Sequence, residues 1–273
     1  MISKHLVKYV LVAAMRDKLM LTLLFMTLIG AAIATFMGSA TVTEEDSFAL
    51  VFGSGGLRFL GVIGIVLFCC FYVRRSFESK EVEFLLSRPI SRVSFLFSHA
   101  AAFSLLALLI AVVITLVVSI IGKPNMTGLF IWGVSLVAEF AIMSVASLFF
   151  SMVLSSASGS ALATLGFYAL SRMIGVVLGI VSRAPENWTM AAMGNMMKLI
   201  SIFIPRFDLM GQTTWLVYGI KDMAGMKFMP DAGTYIATVM ENIGLAGFVT
   251  LQGVLFIALL LVASSYDFLR RQF

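Results

Sequence analysis

The stretch at residues 127–182 decides the fold: TGLFIWGVSLVAEFAIMSVASLFFSMVLSSASGSALATLGFYALSRMIGVVLGIVS. It has no proline and only one acidic and one basic residue. About 20 apolar residues cross a bilayer core as a helix, so this stretch is long enough to cross twice. The reversal is predicted at Ser155–Ser160, because serine hydroxyls compete for the helical backbone and Gly159 tolerates a turn. We therefore expect a hairpin of two transmembrane helices.

The rest of the chain has the same character. It contains 273 residues, of which 60% are hydrophobic and 12% charged, and its mean hydropathy is +1.04. Soluble domains average about 25% charged residues. The apolar runs are too long and too uniform for the alternating strands of a membrane barrel. We predict an all-α polytopic membrane protein with one transmembrane domain, 1–273, and six spans: 19–40, 57–73, 95–121, 127–154, 159–183 and 244–263.

Two features near the first spans are given structural interpretations. The first span could resemble a secretory signal, but its apolar run exceeds the roughly 7–15 residues of a signal core, and we interpret it as an anchor. Cys69 and Cys70 are adjacent, so they predict no structural disulfide and are expected to be packing residues.

Basic residues near the span ends set the expected orientation. Six spans place both termini, the 74–94 connection and the Ser155 turn on one side, which holds Lys4, Lys8, Arg16, Lys18, Arg74, Arg75, Lys80, Arg88, Arg92, Arg270 and Arg271. The opposite loops hold Glu44, Glu45 and Asp46, with Arg58 at the edge of the first and Lys123 in the second. This predicts an inner (cytoplasmic) membrane protein with cytoplasmic termini. The net charge of +5 suits contact with anionic membrane lipid, and no nucleic-acid motif is present.

One cytoplasmic connection is strongly charged. Residues 76–88 interleave apolar and ionisable side chains, which predicts a short amphipathic helix on the membrane face. Pro89 ends that helix and favours an extended Arg88, after which Ser91 can cap the third span. The simplest interpretation is an interfacial helix that anchors a loop.

The same connection carries a family resemblance. The run ESKEVEFLLSRPISR, Glu78–Arg92, resembles the loop after the second span in ABC-2 type permeases, the membrane subunits of ATP-binding-cassette transporters. The resemblance implies a coupling helix that docks in a cleft of a separate ATPase subunit. The implied docking residues are Phe77, Glu78, Glu81, Phe84, Leu85, Arg88 and Pro89. Where many relatives have a pair of small residues before the Leu-Leu, this chain has Lys80–Glu83.

Two further segments extend the resemblance. The N-terminal KHLVKYVLVAAMRDKLML looks like the amphipathic elbow helix of that family, at residues 1–18. The run IPRFDLMGQTTWLVYG, Ile204–Gly219, is similar to a segment before the last span in the group labelled for multi-copper enzyme maturation. The layout implied is a helical outer segment, 184–243, between spans five and six.

The chain has no sequence signal for an energy source of its own. It lacks a G-x-x-x-x-G-K-[ST] loop and an H-E-x-x-H pair, and GSGG at 53–56 has no lysine. We therefore expect no enzyme and no cofactor or metal in this chain, with ATP and Mg bound by the partner ATPase. The resemblance implies a permease subunit of an exporter that works as a homodimer. Two alternatives stay open: a membrane subunit that transmits ATP-driven motion to a partner protein in envelope or metalloenzyme maturation, and a secondary carrier.

Two charges lie inside the predicted spans. Glu139 and Arg172 fall roughly 15–18 Å deep on neighbouring antiparallel helices, and buried charges usually find partners. We predict that they pair. The pair is either a clasp that holds the hairpin together, which we favour, or part of a substrate pathway. Gln252 in the last span is a weaker candidate of the same kind.

Methionines mark the predicted outer segment. Met190, Met193, Met196 and Met197 recur at helical spacing. Thioethers suit Cu(I), so a copper-handling role is conceivable. An amphipathic helix at the membrane interface predicts the same pattern, and we favour that explanation.

Overall fold

The structure, a computed structural model, describes residues 3–40, 45–82, 91–182, 188–219 and 235–270. The described residues form α-helices and no strand. In chain order the helices are α1 (Lys4–Arg16), α2 (Lys18–Ser39), α3 (Glu45–Glu78), α4 (Arg92–Ile120), α5 (Met126–Val153), α6 (Ala157–Ser182), α7 (Trp188–Phe203), α8 (Phe207–Gln212), α9 (Thr214–Val217) and α10 (Tyr235–Arg270).

Six of these helices, α2 to α6 and α10, are long and apolar enough to cross a membrane. This confirms the predicted class, a multi-pass helical membrane protein with six spans. The predicted hairpin reverses at Leu154–Ser156, where the Ser156 hydroxyl accepts a hydrogen bond from the Gly159 amide (3.1 Å).

Helix α5 is the centre of the bundle. It packs against α3, α4, α6 and α10, and its span is the most deeply buried of the six. Trp132, Leu136 and Phe140 are fully buried along it. Small residues such as Ser144 and Ser147 let the neighbouring backbones approach closely. The faces of α2, α6 and α10 are largely exposed, as expected for helices that contact lipid.

Two helices differ from their predicted bounds. Helix α3 begins at Glu45, not at 57, so Gly53–Gly56 and Arg58 lie within the helix and not in a loop or at its edge. At 34 residues it is about 50 Å long, more than a bilayer core requires. Helix α10 begins before the predicted residue 244 and is kinked there, because Gly244 adopts a φ of 71°.

Helix α1 lies along the end of the bundle that carries the predicted cytoplasmic connection. Its apolar face, Leu6, Val10 and Ala14, is buried, and the helix packs against α4. The Ser3 amide donates to Ser98 Oγ of α4 (2.9 Å).

The helical conformation is interrupted at one residue after α1. Asp17 is extended between α1 and α2 and caps α2 by accepting a hydrogen bond from the Leu19 amide (2.9 Å). A single non-helical residue therefore separates α1 from the first span.

The segment after α6 does not stay outside the bundle. Its buried side chains Phe207, Leu209, Met210 and Val217 contact the core that α5 organises. The Asn125 amide donates to the Val217 carbonyl (2.9 Å). Residues 204–219, called here the inserted segment, thus pack into the bundle, and the side of the membrane on which they lie stays a prediction.

Candidate functional site

The predicted coupling segment is described in part. Phe77, Glu78 and Glu81 lie within the described residues, whereas Phe84, Leu85, Arg88 and Pro89 lie outside them. Residues 76–78 form the last turn of α3 and not the start of a separate helix. Lys80 has a φ of 57°, and this left-handed residue turns the chain away from α3.

Glu81 is tied to two helices at this turn. Its Oε2 accepts a hydrogen bond from Ser76 Oγ of α3 (3.1 Å). On the other side it interacts with the phenol of Tyr9 in α1, and this interaction, followed by burial, raises the pKa of Tyr9. Tyr9 is therefore a neutral phenol at neutral pH. The first residues of the connection are fastened to both α1 and α3.

Two ion pairs surround the same turn. Arg74 Nε lies 3.1 Å from Glu78 Oε1 within α3. Arg75 pairs with the largely buried Asp17. Burial acts to raise the pKa of Asp17, but the hydrogen bonds from Arg75 and the Leu19 amide outweigh it, and the pKa is lowered. Asp17 is therefore ionised at neutral pH and joins the α1–α2 break to the end of α3.

Arg58 is the centre of a buried polar cluster. Its guanidinium is fully buried and lies on α3 opposite α5. Nη1 donates to Glu139 Oε2 and to the Met210 carbonyl, both at 2.8 Å. Nη2 donates to Ser135 Oγ (2.7 Å) and Thr213 Oγ1 (3.1 Å). One side chain thus joins α3, α5 and the inserted segment.

The second member is Glu139 on α5, which is also fully buried. Its Oε2 is taken by Arg58, while its Oε1 accepts from Tyr168 of α6 (2.8 Å). Arg172 Nη1 lies 3.7 Å from the same Oε1. The structure therefore brings Glu139 and Arg172 together, as the sequence predicts, but Arg58 is the nearer partner. Sequence reasoning missed Arg58 because it assigned that residue to a loop edge.

Arg172 has a looser position. Its Nη1 donates to the Phe207 carbonyl (2.9 Å), and its guanidinium lies 5.2 Å from the ring centre of Phe59. Its side chain is 22% exposed, whereas those of Arg58 and Glu139 are completely buried. The ion pair predicted to hold α5 and α6 together is therefore weaker than the one that joins α5 to α3 through Arg58.

A second ion pair lies beside Arg172. Arg206 donates from Nε and Nη2 to the carboxylate of Asp208 at 2.8–3.2 Å, and both side chains are about nine-tenths buried. This fork-like pairing orders the start of α8, which packs against α6.

The remaining predicted residues do not join the cluster. Cys69 and Cys70 are buried free thiols in α3, consistent with packing. Gln252 is buried on α10. Met193 and Met196 are exposed on α7. Among the residues the structure describes, no group of three His, Cys, Asp or Glu side chains is placed to hold a metal ion.

The fold and these buried charges define a multi-pass helical membrane protein whose polar interior is built from α3, α5, α6 and an inserted segment. Comparison with known proteins gives no matching family model and no matching curated protein.

Proposed function

We propose that the chain is the permease subunit of an ATP-binding-cassette transporter, an exporter that works as a dimer with separate ATPase subunits. The resemblance of residues 78–92 to the ABC-2 coupling loop supports this proposal. The amphipathic α1 is suited to the role of an elbow helix, and the basic residues at the same end suit a cytoplasmic location of both termini.

The attachment of Glu81 is the single observation that carries the proposal. An ATPase that pulls on the connection between α3 and α4 needs a stiff path to the spans. Glu81 provides one, because its carboxylate accepts a hydrogen bond from Ser76 of α3 and interacts with the phenol of Tyr9 in α1. A displacement of the connection would therefore move both helices together.

Helix α3 can carry that movement to the bundle interior. Ser76 and Arg58 lie on the same uninterrupted helix, about 27 Å apart at 1.5 Å per residue. Within the helix, Arg58 binds α5 and the inserted segment. One continuous helix thus joins the connection to the buried cluster, which is the arrangement that mechanical coupling requires.

The first test is purification of the native complex through a tag on this chain. We expect an ATP-binding-cassette ATPase to copurify, and we expect its ATP hydrolysis to be stimulated by this subunit. Glu81→Gln should leave the complex assembled and reduce the stimulation, because an amide binds the Tyr9 and Ser76 hydroxyls more weakly than a carboxylate. Lys123→Gln, at the opposite end of the bundle, is the control, since Lys123 is exposed and pairs only with Asp46 among the described residues.

The second test concerns topology. Cys69 and Cys70 are buried, so a cysteine introduced at position 81 can be labelled against a low background. The proposal requires that a membrane-impermeant maleimide leaves position 81 unlabelled in intact cells and labels it in inverted vesicles. Labelling in intact cells, or a native complex without any ATPase, would contradict the proposal and favour a secondary carrier. An ATPase complex that moves no cargo in vesicles would favour force transmission to a partner protein.

A further inference from the structure

An open cavity of about 180 Å³, with charged side chains in its lining, lies between α6 and the inserted α8. Its lining is Arg172, Gly175, Val176, Asp208, Gly211 and Gln212. At about 30 Å³ of liquid volume per water, this space holds on the order of six waters. It therefore has room for a small polar group and not for a whole lipid.

Two glycines keep this cavity open and let its charged groups lie close to backbone. A Cβ atom on Gly211 would overlap the guanidinium of Arg172, and one on Gly175 would overlap the carboxylate of Asp208. Gly166, further along α6, has nothing within 4 Å of the same position. Gly166 therefore provides an open reference position on the same helix as Gly175.

The charges around the cavity do not balance among the described residues. In the described part of the chain, Arg58, Arg172 and Arg206 face two carboxylates, Glu139 and Asp208. Both oxygens of Glu139 accept hydrogen bonds from Arg58 and Tyr168.

The surplus positive charge falls on Arg172. Asp208 also lines the cavity and would repel an anion, but Arg206 neutralises it at 2.8 Å. Among the described residues Arg172 contacts the Phe207 carbonyl, the Phe59 ring and, at 3.7 Å, Glu139. A charge that is only partly compensated inside a candidate span is costly, and a bound anion would offset that cost.

We infer that Arg172 binds the acidic group, a phosphate or a carboxylate, of an amphipathic molecule whose apolar part lies outside the cavity. The guanidinium offers a planar fork suited to either group. Val176 borders the cavity and is half exposed, and Met173 and Ile180 continue the same exposed apolar face of α6. An acyl chain can lie along this face while the acidic group enters the cavity. The inference concerns binding alone and stands without the proposed function.

The test measures equilibrium binding to the purified full chain in phosphatidylcholine nanodiscs without ATP. Radiolabelled lysophosphatidylglycerol, an acidic single-chain lipid, is compared with lysophosphatidylcholine, which has no net charge. We expect the acidic lipid to bind about tenfold to a hundredfold more tightly, the range expected for one charge-assisted hydrogen bond. Arg172→Gln should remove this preference, and Arg172→Lys should restore part of it. Arg270→Gln, at the opposite end of the bundle, is the matched control and should bind as the wild type does.

A second pair of variants tests the cavity without changing any charge. Gly211→Ala should displace the Arg172 guanidinium and weaken binding of the acidic lipid, whereas Gly166→Ala should not. Competition with inorganic phosphate separates the two sources of the anion. Displacement by phosphate that depends on Arg172 supports a site for free anions as well, and no displacement supports one that needs the attached chain. Equal binding of the two lipids, or equal behaviour of the Arg172→Gln and Arg270→Gln variants, would overturn the inference.

Discussion

Replacement of Arg58 by methionine tests which cation holds the bundle interior. The variant keeps most of the side-chain volume and removes four hydrogen bonds, those to Glu139, Met210, Ser135 and Thr213. Removing one member of a buried ion pair costs about 3–5 kcal/mol, because the other charge stays buried without its partner. We expect Arg58→Met to lower the free energy of unfolding by that amount.

The loss of unfolding free energy in Arg58→Met is compared with the loss in Arg172→Met. Arg172 is 22% exposed, lies 3.7 Å from Glu139, and donates one short hydrogen bond to a backbone carbonyl. Its removal should cost about 1–2 kcal/mol, because a partly solvated pair contributes little beyond that bond. Arg270→Met on the exposed end of α10 is the control and should change the free energy of unfolding by less than about 0.5 kcal/mol.

The assay is unfolding of the purified chain in mixed micelles by titration with SDS, followed by circular dichroism. A double-mutant cycle with Glu139→Gln isolates each pair, and the Arg58–Glu139 coupling should exceed the Arg172–Glu139 coupling. If Arg172→Met destabilises the chain as much as Arg58→Met, or if the two couplings are equal, Arg58 is not the principal partner and the reasoning is refuted.

Two further predictions concern other contacts. Gly128→Ala should weaken the seating of the inserted segment, because its new Cβ would overlap the Leu216 backbone carbonyl; limited proteolysis after residue 203 should be faster than in Gly166→Ala, whose site is open. Asp17→Asn should remove a pH-dependent contribution of the Asp17 carboxylate to the stability of the fold. Burial raises the pKa of Asp17, but its hydrogen bonds, chiefly from Arg75, lower it overall, so the carboxylate stabilises the fold above the usual aspartate pKa of about 3.9 and loses that effect as the pH falls through its lowered value. The difference in Tm between the wild type and Asp17→Asn should therefore be largest near about pH 6 and shrink towards about pH 3, and a constant difference would contradict this account.

The spans were predictable from sequence because a membrane helix needs a long apolar run, and that requirement is local. The same requirement made the predicted second span, 57–73, shorter than the observed α3. Its first turns contain Glu45, Asp46 and several glycines, which interrupt an apolar window although glycine is well tolerated in membrane helices. Arg58 then fell at the edge of a predicted loop. The sequence did contain a signal, since Glu139 is the only acidic residue in 127–182 and Arg58 lies just inside the predicted span 57–73.

The inserted segment could not be predicted from residues 204–219 alone. Its helices α8 and α9 have six and four residues, too short to show a reliable apolar period. Their burial depends on non-local partners: the Met210 carbonyl is held by Arg58, 152 residues earlier in the chain. Tertiary contacts of this kind become visible only when the helices are assembled.

That long separation has a consequence for biogenesis. The ribosome delivers Arg58 to the membrane well before Glu139 and still longer before the Met210 carbonyl that completes its coordination. We expect α2 and α3 to stay loosely packed and accessible to water at first. The interior should pack fully only after the segment around Met210 has been translated. Nascent chains arrested before that point should exchange the backbone amides of α3 with solvent, and chains arrested after it should protect them.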